Sequence, residues 1–356
     1  MSLRIILTGG GTAGHVTPNL ALLPYLKEEG FEVAYIGSYD FIESKLIPEA
    51  GIPYHGVATG MLRRYKTLKN LTDPFKVFKG IHQAKKIIKE FKPDVIFSKG
   101  GYVGVPVTYA AKRCHVPVVL HESDMTPGLA NKLCLPVASK ICCNFPETVK
   151  LLPENKAVLT GSPIRDELLK GDRELGMKMC SFNTDKPVIM VIGGSLGAAS
   201  INKAVREALP KLLEDFQIVH ICGKGKLDES LLNKSGYIQF EYVKDGLNNL
   251  FAMADLVISR AGANSICEIL ALKKPNLLIP LSKQASRGDQ ILNAKSFESQ
   301  GYSMVLDDED CNKDNLVEKI TELYFLRQNY IDNMAKSTQT NANASIVAII
   351  KELSKK

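Results

Sequence analysis

The chain has 356 residues, 45% of them hydrophobic and 23% charged, with a net charge of +7. That length allows two ordinary domains, and the composition excludes a disordered or fibrous chain. No apolar run approaches the roughly 18–20 residues of a membrane span, and eight cysteines without C-x-x-C spacing read as reduced core thiols in a cytoplasmic protein.

Arg4–Leu7 reads as a buried strand that runs into Gly9-Gly10-Gly11-Thr12-Ala13-Gly14-His15, with no cleavage site, which argues against a signal peptide. Leu20, Leu23 and Leu26 then recur at helical spacing up to Gly30. Gly9–Gly14 thus lies between a strand end and a helix start, where backbone N–H groups and the helix dipole meet a ligand. The spacing Gly9-x-Gly11-x-x-Gly14, with Asp40 after the next strand (Phe31–Ile36), also fits a dinucleotide fingerprint. Against that reading stand the unusual Thr-Ala-Gly-His continuation and a second glycine-rich turn in the other half.

A short helix at Phe41–Ala50 and a strand at Ile52–Val57 precede the most basic stretch. The first 165 residues hold 21 Lys and Arg against 13 Asp and Glu, and the remainder is nearly neutral. The excess concentrates in Arg63, Arg64, Lys66, Lys69, Lys76, Lys79, Lys85, Lys86, Lys89 and Lys92, with Met61, Leu62, Tyr65, Phe75, Val77, Phe78 and Ile81 between them. No nucleic-acid motif accompanies it, so region 61–89 reads as a docking surface for an anionic membrane; a solvated helix face is the plain alternative. Pro74–Phe91 is an amphipathic helix in this reading.

Val95–Ser98 is a strand ending in Lys99-Gly100-Gly101-Tyr102, then a helix over about Val105–Lys112. The strand Val116–Leu120 ends in His121-Glu122-Ser123-Asp124, and a helix through Asn131 and strands near Ile141–Cys143 and Ala157–Thr160 complete the half. This βα alternation predicts a doubly wound parallel sheet with ligands at the strands' carboxyl ends. Three polar and glycine clusters, at 8–15, 98–102 and 121–124, fall on that rim.

Gly161–Gly171 reads as the joint between domains 1–163 and 164–339, with a last helix, about 340–356, packing back on the first. Val188–Ile192 opens a second unit, followed by Gly193-Gly194-Ser195-Leu196-Gly197 and a helix over Ala198–Leu213. Strands recur at Ile218–Cys222, Ile238–Phe240, Leu256–Ser259 and Asn276–Ile279. Arg260-Ala261-Gly262-Ala263-Asn264-Ser265 precedes the helix carrying Glu268, and Asp289–Gln300 is a helix presenting Gln290 and Asn293. Asp307–Asp310 reads as a solvated acidic turn rather than a metal site, and His55, His82, His115 and His220 as structural, without identifiable partners.

Two such units facing a cleft suit a nucleotide-sugar glycosyltransferase. Small-residue helix N-termini (Gly194–Gly197, Gly262–Ser265) receive a diphosphate without a metal or other cofactor. Glu268 suits ribose hydroxyls, Asp289, Gln290 and Asn293 suit a hexose, and His15 or Glu122 suits the base for an acceptor hydroxyl. Tyr102 is a rim aromatic or an acceptor contact.

Taken together, these segments and Gly161-Ser162-Pro163-Ile164-Arg165 closely resemble the MurG family, the UDP-N-acetylglucosamine transferases of peptidoglycan synthesis, from residue 3 to about residue 310. The resemblance implies a GT-B fold, with two Rossmann-like α/β domains, and inverting β-1,4 transfer of GlcNAc from UDP-GlcNAc to lipid I at the cytoplasmic face of the membrane. It also implies that Arg165, Ser195, Val243, Ala263, Asn264, Ser265, Glu268 and Gln290 bind the donor. Val243 meets uracil through its backbone, Ser195 and residues 263–265 hold the diphosphate, Glu268 the ribose, and Gln290 with Asn293 the sugar. Gly11, Thr12, Ala13 and Gly14 line the acceptor site beside His15, the base. Asp124 replaces an Asn that touches the donor sugar, and Asp289 stands where some members have Gln or His.

Overall fold

The computed structural model describes residues 3–60, 69–182, 186–194, 197–283 and 288–355, without the side chains of 69–72. The chain divides into two compact units, residues 1–165 with 341–356, and residues 166–340.

The first unit runs β1 (Leu3–Thr8), α1 (Ala13–Ala21), α2 (Leu23–Glu28), β2 (Phe31–Ser38), α3 (Glu43–Glu49), β3 (Tyr54–Val57) and α4 (Lys69–Phe91). It continues through β4 (Val95–Ser98), α5 (Gly104–Arg113), β5 (Val118–Glu122), α6 (Leu129–Cys134), β6 (Lys140–Cys143), α7 (Pro146–Lys150) and β7 (Ala157–Leu159). Its seven strands pair in parallel in the order β3-β2-β1-β4-β5-β6-β7. The strands are apolar on both faces because helices cover both. Ile5, Leu7 and Phe97 face one cluster, Ile6, Ala34 and Ile96 the other.

The second unit runs α8 (Arg173–Met179), β8 (Val188–Ile192), α9 (Ala199–Asp215), β9 (Gln217–Ile221), β10 (Tyr237–Phe240), α10 (Leu247–Met253) and β11 (Leu256–Ser259). Then follow α11 (Ala263–Ala271), β12 (Asn276–Leu278), α12 (Asp289–Ser299), β13 (Met304–Val305) and α13 (Lys313–Ala335). The sheet order is β10-β9-β8-β11-β12-β13, again parallel. After α13 the chain returns to the first unit as α14 (Ala342–Ser354), whose Ile346, Val347 and Ile350 join the cluster of Ile5, Leu7 and Phe97. Asn343 clasps Ile164 through both backbone groups, Ile164 N to Oδ1 at 3.0 Å and Nδ2 to Ile164 O at 2.7 Å.

The structure departs from the sequence reading in several places. α4 starts at Lys69, so Pro74 sits inside the helix rather than at its first turn. β5 extends through His121 and Glu122, placing both on the sheet rather than in the following loop. Helices α7, α8, α10 and α13 and the two-residue β13 occupy stretches where the sequence reading named no element. Among the described residues no helix is long and apolar enough to cross a membrane.

Candidate active site

In each sheet, connections leave in opposite directions from two neighbouring strands, β1 and β4 in one, β8 and β11 in the other. Ligands in doubly wound folds bind outside the carboxyl ends at such a switch point. Residues 9–12, 99–103, 193–194 with 197–198, and 260–262 follow these strands, so the glycine clusters sit at both switch points.

In the first unit, the two loops touch. A Cβ on Gly101, whose φ is +78°, would lie 2.7 Å from Gly10 O, and one on Gly11 (φ +86°) would lie 2.7 Å from the Tyr102 ring. Only glycine permits that approach with that backbone. Tyr102 packs edge-on against Phe41, with ring centroids 5.6 Å apart. Thr12 is the N-cap residue of α1, yet its side chain makes no cap bond; Oγ1 lies 3.1 Å from Nδ1 of His15 in the first turn. Burial pushes the His15 imidazole down to about 4, the Lys99 charge adds to the shift, and a Gly10 backbone hydrogen bond opposes it. At neutral pH His15 is therefore unprotonated, the form that accepts a proton.

The scaffold beneath this loop went unseen in the sequence reading. Glu43 of α3, fully buried, accepts Gly11 N at 3.0 Å with Oε2 and Ser38 N at 3.3 Å with Oε1. Asn19 donates to Thr8 O at 3.2 Å and His15 O at 3.3 Å, and Tyr35 donates to Gly9 O at 2.7 Å. The chain's own carboxylate thus takes an amide that a dinucleotide loop offers to pyrophosphate, which removes the physical basis of the nicotinamide reading.

Glu122 is also buried. Oε1 accepts Asp124 N at 3.1 Å, and Oε2 accepts Gly128 N at 3.0 Å and Asn131 Nδ2 at 2.8 Å. Burial raises its pKa against the pull of those three donors. These bonds fold the 122–128 loop around the carboxylate. Asn144 donates to Ser123 O at 2.9 Å and Thr148 to Met125 O at 2.8 Å, fixing the segment that carries Asp124. Arg165 closes the unit half-buried, and its Nε has no hydrogen-bond partner among the described residues.

In the second unit, Ser195 lies outside the described residues. Gly262 caps α11 without a side chain, and the N–H groups of Ala263, Asn264 and Ser265 lie ahead of Ile266, whose N is the first to donate within the helix, to Gly262 O at 3.1 Å. Four residues after Asn264, half-buried Glu268 shares its helix face. Arg260 braces the loop from behind, bonding Ile279 O at 3.0 Å, Asp308 Oδ1 at 2.7 Å and Ser200 Oγ at 2.8 Å. In the acidic turn Asp307, Glu309 and Asp310 are exposed, as expected, while Asp308 departs from the expectation by pairing with Arg260, their side chains only 16% and 11% exposed.

Asn293 is fully buried and donates to Ala261 O at 3.2 Å, so its amide holds the α11 loop rather than standing open to a hexose. Gln290 Oε1 accepts Leu281 N at 3.1 Å, and Asp289 begins α12 after Gly288. Val243 is buried in the connection between β10 and α10. His220, read as partnerless, is bonded at both ring nitrogens, Nε2 to Asn202 Oδ1 at 3.0 Å and Nδ1 to Tyr237 OH at 2.9 Å. Asn202 in turn donates to Cys222 O at 2.8 Å.

Residues 5–143 match the glycosyltransferase family 28 N-terminal domain, and residues 188–350 match the C-terminal domain of that family. A Lachnospira eligens protein named UDP-N-acetylglucosamine–N-acetylmuramyl-(pentapeptide) pyrophosphoryl-undecaprenol N-acetylglucosamine transferase is 62% identical over 352 residues, 99% of each chain. A Lachnoclostridium phytofermentans protein of the same name is 56% identical, covering 98% of this chain and 99% of its own. Among solved structures, Acinetobacter baumannii MurG is similar at a TM-score of 0.79 and 26% identity, covering 98% of this chain and 99% of that one.

Proposed function

Because the chain belongs to glycosyltransferase family 28, we propose that it moves N-acetylglucosamine from UDP-N-acetylglucosamine to lipid-linked muramyl pentapeptide, converting lipid I to lipid II in peptidoglycan synthesis. The observation that carries this reading is the N-terminus of α11, where the cap residue Gly262 brings no side chain and Glu268 lies one turn further on. That pairing suits a diphosphate joined to a ribose. The names of the relatives supply the sugar and the acceptor.

The reaction is a direct displacement. Neutral His15 takes the proton of the muramyl C4 hydroxyl, the oxygen attacks the anomeric carbon, and UDP leaves from the opposite face with the bonding electrons. The amides of 263–265 stabilise the departing diphosphate. Ser195 shares that task, Val243 meets the uracil and Glu268 the ribose. Arg165, Asp124, Asp289 and Gln290 complete the donor contacts. Glu122, with both oxygens engaged by its own loop, serves as scaffold, which leaves His15 as the base.

The enzyme works at the cytoplasmic face of the membrane, docking peripherally through α4. There Phe75 and Phe78 are 76% and 66% exposed, interleaved with exposed Lys76 and Lys79. The rest of the expected patch, residues 61–68, lies outside the described residues. The deciding experiment measures UDP release from UDP-GlcNAc with and without a lipid I analogue. Release that requires the analogue, with GlcNAc appearing on it, is expected; acceptor-independent turnover of UDP-GlcNAc points to an epimerase and overturns the reading.

A further inference from the structure

Lys99 follows β4 at the first switch point and is only 1% exposed. Its backbone N bonds Thr8 O at 2.9 Å, and its Cβ lies beneath the first glycine loop, 3.2 Å from where a Cβ on Gly9 would stand. The ammonium donates to His121 Nδ1 at 3.1 Å and to the Ser123 hydroxyl. These bonds assign the His121 proton. An ammonium only donates and a carbonyl only accepts, so Nδ1 accepts from Lys99 and Nε2 donates to Gly161 O at 3.0 Å.

We propose that Lys99 is a positioning residue for the transfer, one buried cation that sets the relative placement of the His15 loop, the 121–124 segment and the strand exit at Gly161. This rests on the reading of His15 as base. Gly161 has a φ of +78° and leads directly into Ser162–Arg165, so the Lys99–His121 chain holds the backbone just ahead of Arg165. On the other side, Ser123 precedes Asp124.

Burying an ammonium is costly, and an apolar side chain would fill the same space at least as stably. What the ammonium adds is hydrogen-bond direction and charge. Among the described residues, the ionisable groups against the His15 loop include Lys99 from the end of β4, Glu43 from α3, Tyr35 from β2 and Tyr102 from the second glycine loop. The cation among them disfavours protonation of His15.

The test is Lys99→Met in the full-length protein, which keeps the side chain's length and removes its donors and charge. The expected result is a kcat lowered about tenfold or more, with the KM for UDP-GlcNAc within about twofold. The acid limb of the kcat/KM profile moves to higher pH. Ring nitrogen NMR shows His121 leaving the pure Nε2–H tautomer and His15 titrating higher. Should K99M fail to fold, Ser123→Ala removes one acceptor and keeps the charge; a smaller fall in kcat at unchanged donor KM and an unmoved acid limb are expected. A folded K99M with wild-type kcat and an unshifted His15 titration overturns the proposal, as does an S123A enzyme with unchanged kcat. If His15→Ala retains turnover, the base reading falls by itself, and the ring titrations still judge Lys99.

Discussion

The two units use the same strand order around their switch points and treat the backbone there in opposite ways. In the first, Glu43 takes the Gly11 amide, while Asn19, Tyr35 and Lys99 brace the loop from below. In the second, Arg260, Asn293 and Gln290 bond the loops around α11 and α12, and the cap residue of α11, Gly262, brings no side chain. One topological position thus holds a glycine loop tied to a buried carboxylate and, elsewhere, a helix start whose cap residue has no side chain.

The largest effect that tests this contrast is expected from His15→Ala, with kcat lowered by about 10²–10⁴ and the KM for UDP-GlcNAc little changed. Near-normal turnover in that variant would remove the base from the first unit. Next comes Glu268→Ala, for which calorimetry with UDP should show affinity lower by about 10–100-fold, the loss of a charged hydrogen-bonding partner. Equal affinity would mean that the α11 face is not the nucleotide site.

Acid stability tests the buried histidines of both units. Burial lowers the pKa of His15 to about 4, that of His220 to about 3, and that of His121 well below 6.5. In the unfolded chain these groups bind protons near pH 6.5, so between about pH 6.5 and 4 the unfolded state holds more protons and stability falls as the pH falls. Glu122, raised by burial, acts in the opposite sense because the folded state takes up its proton first. Glu122 lies in the first unit with His15 and His121 and offsets part of their effect. The expected outcome is a net loss of stability of the whole chain as the pH falls from about 6.5 to 4, read from thermal unfolding. Unchanged stability across that window would contradict the burial of these histidines. The smallest effect is expected from Phe75→Ser with Phe78→Ser. Liposome sedimentation with anionic vesicles should fall several-fold while turnover of a soluble acceptor analogue stays unchanged.

The glycine clusters and the strand–helix alternation were legible because they are local. A buried parallel strand is a short apolar run, and a rim loop is a cluster of small residues beside it. The bonds that fix those loops were not. Glu43 reaches Gly11 across 32 positions, Lys99 reaches His121 across 22, and Arg260 reaches Asp308 across 48. No periodicity or spacing links such partners; only the folded sheet brings them together. His220 illustrates the same limit, since Tyr237 and Asn202 face it from a neighbouring strand and a helix. Pro74 misled for a different reason. Proline is a good helix starter, and five residues of helix nonetheless precede it.

The return of α14 has a consequence for biosynthesis. A nascent chain that has emerged as far as Arg165 already owns all seven strands of its first sheet, yet the space filled by Ile346, Val347 and Ile350 still gapes, and Ile164 lacks its Asn343 clasp. The ribosome must deliver the entire intervening unit before that seam closes. Until then Ile5, Leu7 and Phe97 lack the part of their cover that the last helix supplies.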